Sequence, residues 1–387
     1  MKLAKIASEI EGQPMFKILS QVQKLEREGK NIIHFELGEP DFNTPKNIID
    51  SCVKALTDGN THYAPSSGLH ELKVSVQNTT EISRKFKPDL NQILVTPGAN
   101  SIIYLALKCL IDEGDEVLVP NPGFPTYFSA IKACGGIPVS IPLLEELSFA
   151  FRPEDIIKKI TKKTKAIILN SPSNPTGGII NKNMIKQAYE VACENNLLLI
   201  SDEIYSRMMF DDNDFFSPSM YDHCKENTLI LNGFSKAFAM TGWRLGVAIG
   251  PEKIIEKMAL LTSTIVSCVP PFIQLAGVEA IEGPQKEVNK MLKEYENRAK
   301  ILVQGLNEIK GIYCTMPKGA IYVFANIKGT GLSSEEFCKS ALDYCNVAIT
   351  PGNFFGSYGE GYVRFSIVSG VNNIHNALKH LKDYFNY

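Results

Sequence analysis

Residues 165–178 read K-A-I-I-L-N-S-P-S-N-P-T-G-G, and residues 197–205 read L-L-L-I-S-D-E-I-Y. Each opens as a short, near-continuous apolar run and breaks into polar and turn-forming residues. Runs of that kind suit strands buried on both faces, as in a parallel sheet. Similar runs lie on either side, at 92–96, 116–119, 137–141, 228–231 and 245–250. Between them, 101–111 is apolar all round, as a buried helix would be, and 126–134 also reads as a helix. Strand–helix alternation from about 98 to 250 predicts an α/β fold, a large domain with a mainly parallel sheet covered by helices. The last third has a different texture. Residues 284–309, rich in Lys, Glu and Leu, predict one long helix. Residues 319–326 and 361–367 alternate like strands, with helices expected at 333–344 and 372–384. That pattern predicts a smaller α+β domain. The expected division is an N-terminal segment, 1–45, with a helix over 14–28 and packing with the small domain; a large domain, 46–280; and a small C-terminal domain, 281–387.

Composition narrows the function. A chain of 387 residues buries about three quarters of its surface and needs no staples. Hydrophobic residues at 44% and charged residues at 21% exclude a disordered chain. Forty basic residues against 42 acidic ones give a net charge of -2. That balance offers no bulk attraction for nucleic acid or an anionic membrane, and neither is expected as a partner. The nine cysteines are scattered, odd in number and free of any C-x-x-C pair. Free thiols in a reducing compartment, the cytoplasm, are therefore expected rather than disulfides or a zinc site. The first ten residues mix charges into a short stretch unlike a secretory signal. No apolar run approaches the ~20 residues that span a bilayer.

Several chemistries lack their motif. There is no G-x-G-x-x-G after a strand, no G-x-x-x-x-G-K-[ST], no H-E-x-x-H and no G-x-S-x-G. His34, His62, His70, His223, His375 and His380 fall at no position that suggests catalysis and are expected to be structural. Four other polar residues sit where strands end or begin. Asn174 follows the strand at 165–170, Asp202 the one at 197–201 and Lys236 the one at 228–231, while Arg244 precedes 245–250. Open parallel sheets bind ligands at the carboxyl ends of their strands. An acid, a lysine, an amide and an arginine on one rim are what a carbonyl cofactor with a ring nitrogen and a phosphate needs.

With those residues in view, the chain resembles the pyridoxal-phosphate enzymes of the aspartate aminotransferase family, the class I/II aminotransferases. The most specific piece is S-K-A-F-A-M-T-G-W-R-L-G at 235–246, close to the family's cofactor-lysine signature. N-P-x-G at 174–177 and D-x-x-Y at 202–205 precede it, and the likeness runs from G-E-P-D-F at 38–42 to Arg364. The resemblance implies fold type I and pyridoxal 5'-phosphate as cofactor. By that likeness Lys236 forms the Schiff base and shuttles the proton, and Asp202 pairs with the pyridine nitrogen. Tyr205 and Asn174 are assigned to the cofactor's phenolic oxygen, and Phe124 to stacking on its ring. Gly98, Ala99 and Asn100 at a helix start, with Ser235 and Arg244, are assigned to the phosphate. Arg364 matches the fork that clamps the substrate carboxylate, helped by Gly38 and Asn174. Tyr63 is assigned to the phosphate held by the neighbouring subunit, which implies a homodimer.

The implied function is a transaminase moving an amino group from an amino acid, glutamate by expectation, to a small keto acceptor, ping-pong through an aldimine at Lys236. The alternative is a decarboxylase of a phosphorylated amino acid, or a β-lyase, on the same fold. A cofactor-sensing regulator is disfavoured, because residues 38–42 come too early to leave room for a DNA-binding domain ahead of them. Two positions depart from the family pattern. Gly233 stands where many relatives have a serine touching the phosphate, and Asn100 where some aspartate-using relatives have a lysine. Asn100 cannot pair ionically with a distal carboxylate, which argues against plain aspartate specificity.

Overall fold

The computed structural model describes residues 1, 3–4, 6–7, 12, 14–211 and 213–386. Its strands, in chain order, are β1 (Ile33–His34), β2 (Ile93–Thr96), β3 (Glu116–Asn121), β4 (Ile137–Pro142), β5 (Thr164–Asn170) and β6 (Leu198–Asp202). They continue with β7 (Thr228–Gly233), β8 (Gly246–Ile249), β9 (Tyr322–Asn326), β10 (Val347–Ala348), β11 (Thr350–Pro351) and β12 (Tyr362–Ser366). Seven of them form one sheet in the order β2-β8-β7-β6-β5-β3-β4. All its pairings are parallel except those of β8, which runs antiparallel to both β7 and β2. The cause is local. Parallel neighbours need a crossover of a dozen or more residues, usually a helix, whereas β7 and β8 are consecutive and joined by turns alone.

Side chains alternate across each strand, and the core divides accordingly. Val117, Val119, Ala166, Ile168, Ile200, Leu229 and Leu231 face one side, against helices Ala99–Leu110 and Pro125–Ala133. Leu118, Ile167, Leu169 and Leu199 face the other, against helix Lys182–Glu194. Toward β2, Val95, Ile230 and Val247 on that second face meet Leu72 and Val76 of helix His70–Arg84. Both faces are covered, which is why these strands read as continuous apolar runs.

The C-terminal third holds a three-stranded antiparallel sheet in the order β11-β12-β9, backed by helix Lys286–Leu306 and by helices Ser334–Cys345 and Val371–Phe385. Helix Met15–Arg27 leads into β1, which pairs in parallel with β10, Ile33 opposite Val347. Among the described residues no helix is long and apolar enough to cross a membrane.

The structure shifts several boundaries, the long helix now Lys286–Leu306 and the strand expected at 319–326 now Tyr322–Asn326, and adds elements. The helix expected at 101–111 starts at Ala99, because Gly98, at φ 84°, turns the backbone directly into it. The strand expected at 245–250 is the short β8, Gly246–Ile249, which runs against both its neighbours in the large sheet. Helices Lys46–Thr57, His70–Arg84, Lys182–Glu194, Glu252–Val266 and Pro271–Glu282 lie outside the sequence reading. The last of these buries Pro271, Gln274, Ala276, Gly277 and Ala280, small or polar residues that leave almost no apolar period to read.

β8 begins where helix Ala99–Leu110 begins. A Cβ on Gly246 would lie 2.5 Å from the carbonyl carbon of Gly98 and 2.6 Å from the amide nitrogen of Ala99. Both are backbone atoms and cannot swing aside. Gly246→Ala is therefore expected to destabilise the fold by about 1–3 kcal/mol, the range for forced overpacking, read as a lower midpoint in urea unfolding.

Candidate active site

The strands of the large sheet end in step. Asn170 pairs with Asp202, Asp202 with Leu231, and Gly233 with Gly246. Because β8 runs backwards, its first residue meets the last residue of β7, and Arg244 arrives at the same rim as Asp202. A cavity of about 310 Å³ opens there. Gly38, Ala99, Asn100, Phe124, Asn174, Asp202, Tyr205, Ser235, Lys236, Arg244 and Arg364 all line it. Tyr63 does not; it is 89% exposed. None of the six histidines lines it either.

Asp202 closes β6 and is 5% exposed. Burial pushes its carboxyl up to about 6, and the charge of neighbouring Glu203 acts the same way. Tyr127 opposes the rise by donating its hydroxyl to Oδ2 at 2.6 Å, as does the Ile204 N–H on Oδ1 at 3.2 Å. The Lys236 charge opposes it too. Asn170 ties the rim together. Its Nδ2 donates to the carbonyl of Asp202 at 3.1 Å, and its Oδ1 accepts the N–H of Asn174 at 2.8 Å.

Lys236 lies in the turns between β7 and β8. Phe234, Ala237, Phe238 and Met240 around it are buried against the sheet, so the backbone beneath the amine is pinned. Its Nζ donates to the carbonyl oxygen of Gly38 at 2.6 Å. Arg244, with φ 55°, donates Nη1 to the carbonyl of Thr241 at 2.7 Å. Its guanidinium covers Gly98, where a Cβ would sit 2.4 Å from Nη2. Only glycine allows the cation to lie so close to the positive end of helix Ala99–Leu110. Gly233 is confined as well. A Cβ there would be 3.1 Å from the Leu245 carbonyl oxygen, 3.2 Å from Ile204 Cδ1 and 3.3 Å from Ala99 Cβ. The neighbours would have to give way before a serine could occupy that position.

Arg364, on β12, approaches from the smaller sheet and is 1% exposed. Nη1 donates to Asn174 Oδ1 at 3.1 Å, and Nη2 to the Glu36 carbonyl at 2.6 Å and Thr350 Oγ1 at 3.4 Å. Its Nε has no hydrogen-bond partner among the described residues. Burial lowers its pKa from the usual range. These partners are neutral, and a buried guanidinium held by neutral groups favours an incoming carboxylate. The Tyr205 hydroxyl meets that of Tyr322 at 2.8 Å, and burial drives the Tyr205 phenol well above its ordinary value. Phe124 meets Tyr127 edge to face, ring centroids 5.6 Å apart.

The sequence reading missed Tyr127, Asn170 and Tyr322, and also Met15, Phe16, Leu37, Glu39 and Thr241 on the cavity wall. Asn170 was within reach as the last residue of a read strand. Tyr127 and Tyr322 sit inside apolar segments and announce nothing by position.

Known proteins resemble this chain over nearly its whole length. Residues 30–381 match the family described as aminotransferase class I and II. The chain is 40% identical over 375 residues to an aspartate aminotransferase of Pyrococcus horikoshii, covering 93% of this chain and 95% of the relative. It is 38% identical over 387 residues to the (5-formylfuran-3-yl)methyl phosphate transaminase of Methanocaldococcus jannaschii, covering 99% and 100%. The structure of an aspartate aminotransferase from Thermus thermophilus with maleate superposes with a TM-score of 0.95 at 30% identity, covering 99% of each chain. The proteins named here are transaminases, and they lend nothing to the decarboxylase or β-lyase alternative. The chain belongs to the class I and II aminotransferases, a family of pyridoxal-phosphate enzymes with fold type I, and is a transaminase.

Proposed function

We propose that the chain moves an amino group from an amino acid, glutamate first among donors, to a small keto acid, with pyridoxal 5'-phosphate held at the strand ends. One observation carries the reading: a single cavity lined by a buried carboxylate, Asp202, an amine, Lys236, and a buried guanidinium, Arg364. The residues fit the coenzyme. The N–H groups opening helix Ala99–Leu110, with Ser235 and Arg244, would take the phosphate. Asp202 would take the protonated ring nitrogen, Lys236 the aldehyde, and Phe124 a ring face. Tyr205 and Asn174 would donate to the phenolic oxygen; with Oδ1 of Asn174 committed to Arg364, its Nδ2 is the atom left for that.

When bound, the coenzyme supplies an electron sink conjugated to the substrate α-carbon. The chain does the rest. The Arg364 fork fixes the substrate carboxylate and so orients the α-carbon. Lys236 Nζ takes the α-proton and returns it, and its hydrogen bond to the Gly38 carbonyl holds it in place. Asp202 keeps a proton on the ring nitrogen, and the Tyr127 hydroxyl keeps Asp202 in place. In domain terms, the site lies between units 46–280 and 281–387, with 1–45 packing on the second.

The same reading makes the protein a homodimer with Tyr63 reaching the neighbouring phosphate. Tyr63 is exposed, and so are Ile49, Val53 and Leu56, which form one stripe on helix Lys46–Thr57. Ile265 and Val266 are exposed on helix Glu252–Val266. The Ala64 N–H, next to Tyr63, contacts Cys268 Sγ just beyond that helix. An apolar surface of this kind is what a second copy would cover. The nine cysteines are all free, which supports the cytoplasm as location.

Pure protein loaded with coenzyme and screened against amino donors, with mass detection of products, should convert glutamate to its keto acid; activity with other donors but never with glutamate refutes the donor. Lys236→Ala should abolish every product and leave the circular dichroism spectrum intact. Asp202 gives a pH signature. Its carboxylate, the form that pairs with a protonated ring nitrogen, predominates above about 6 and is lost below it. Coenzyme affinity, read by absorbance titration, should weaken from about pH 7 to about pH 5. Asp202→Asn should remove that dependence and cut turnover at least ~100-fold. Tyr127→Phe removes a bond that favours the carboxylate, so the weakening should begin at higher pH. For the dimer, sedimentation should give twice the chain mass, and Tyr63→Phe should raise the coenzyme dissociation constant roughly tenfold, as one charge-assisted hydrogen bond supports.

A further inference from the structure

Tyr322 opens β9 and is 2% exposed. Three groups of the site meet it. Its hydroxyl lies 2.8 Å from the Tyr205 hydroxyl, with the two rings edge to face at 81°. The Arg364 Cζ stands 4.5 Å from its ring centroid. The backbone of Gly38 passes directly against it, since a Cβ there would lie 2.1 Å from the Tyr322 hydroxyl. That same Gly38 holds Lys236 through its carbonyl. One side chain therefore touches the neighbours of the amine, the phenol and the guanidinium.

Two phenols in contact share one proton between their oxygens: one donates and the other accepts. On the reading that Tyr205 donates to the coenzyme's phenolic oxygen, its own proton is committed outward. The proton between the pair is then that of Tyr322, and Tyr205 accepts it. A hydroxyl that accepts a hydrogen bond donates a stronger one. The ring does a separate job. Its negative face lies beneath a guanidinium whose hydrogen-bond partners are neutral.

We propose that Tyr322 is a positioning residue for transamination: its hydroxyl orients and polarises Tyr205, and its ring face supports the Arg364 guanidinium that receives the substrate carboxylate. The proposal rests on the placement of Tyr205 against the coenzyme given above, and the two can be separated by experiment.

The readout is the visible absorption of the coenzyme-loaded protein, titrated with pH in the absence of substrate. A donor to the phenolic oxygen favours its deprotonated form and lowers the midpoint. Tyr322→Phe keeps the ring and removes the hydroxyl, so the midpoint should rise by roughly half to one unit, the effect of one hydrogen bond, with a smaller change in the KM of the amino donor. Tyr322→Leu removes the ring as well and should also raise that KM, by roughly tenfold, as the loss of a desolvated cation–π contact supports. Tyr205→Phe should raise the midpoint further than Tyr322→Phe. The double variant Tyr205→Phe with Tyr322→Phe should match Tyr205→Phe alone, because Tyr322 acts through Tyr205. If Tyr205→Phe leaves the midpoint in place, the placement of Tyr205 is wrong. If Tyr205→Phe moves it while Tyr322→Phe does not, or if the two effects add, the hydroxyl role of Tyr322 is overturned. An unchanged KM in Tyr322→Leu overturns the ring's role. Should that variant fail to fold, Tyr322→Phe still decides the hydroxyl role, and Tyr322→Met then tests the ring by the same KM.

Discussion

Burying Asp202 and Arg364 is the constraint around which the molecule is arranged. Each charge sits almost out of reach of water, in surroundings where an unsupported ion costs several kcal/mol. Support comes from fixed dipoles rather than from an opposite charge in contact. A phenol and a backbone amide hold Asp202; an amide oxygen, a backbone carbonyl and a hydroxyl hold Arg364. Neither ion is neutralised in place, so each keeps its attraction for something arriving from outside. The sheet fixes the first set through the register of β6 with β5 and β7. The smaller sheet fixes the second, because Thr350 and Arg364 pair across β11 and β12.

Glu203, next to Asp202, would defeat this arrangement if its charge were left bare. It is fully buried, and its charge already raises Asp202. Arg84 meets it with Nε at 2.9 Å and Nη2 at 2.5 Å, and the hydroxyls of Ser201 and Ser217 donate to the other oxygen. Helix His70–Arg84 reaches across the sheet to supply that guanidinium from its last residue. The pair serves the site by keeping a second negative charge from weighing further on Asp202.

The sequence made the sheet and much of the site legible for one reason. Strands covered on both faces must be apolar, so Asn174, Asp202, Lys236 and Arg244 stand out against their surroundings. The resemblance carried by residues 235–246 then supplied Arg364, which strand alternation alone would have left facing water. The supporting residues were not legible. Tyr127 reads as one more core aromatic in helix Pro125–Ala133, and its bond to Asp202 spans 75 positions of chain. Tyr322 reads as part of an apolar strand, and its bond to Tyr205 spans 117. Nothing local signals a hydroxyl's partner at that separation. Helix Pro271–Glu282 was missed for a different reason, since small residues and a buried Gln274 pack by close approach rather than by an apolar stripe.

The reversed strand has a consequence of its own. Because β7 returns through β8 without a crossover, Lys236 and Arg244 ride on one short span of chain whose two feet are clamped in the same sheet. Any lengthening or shortening of that span would move the Lys236 amine and the Arg244 guanidinium together. Arg364 hangs from a different sheet and is free of that tether. On the proposed reading, the end that takes the coenzyme is therefore built as one unit, and the end that takes the substrate can be altered without disturbing it.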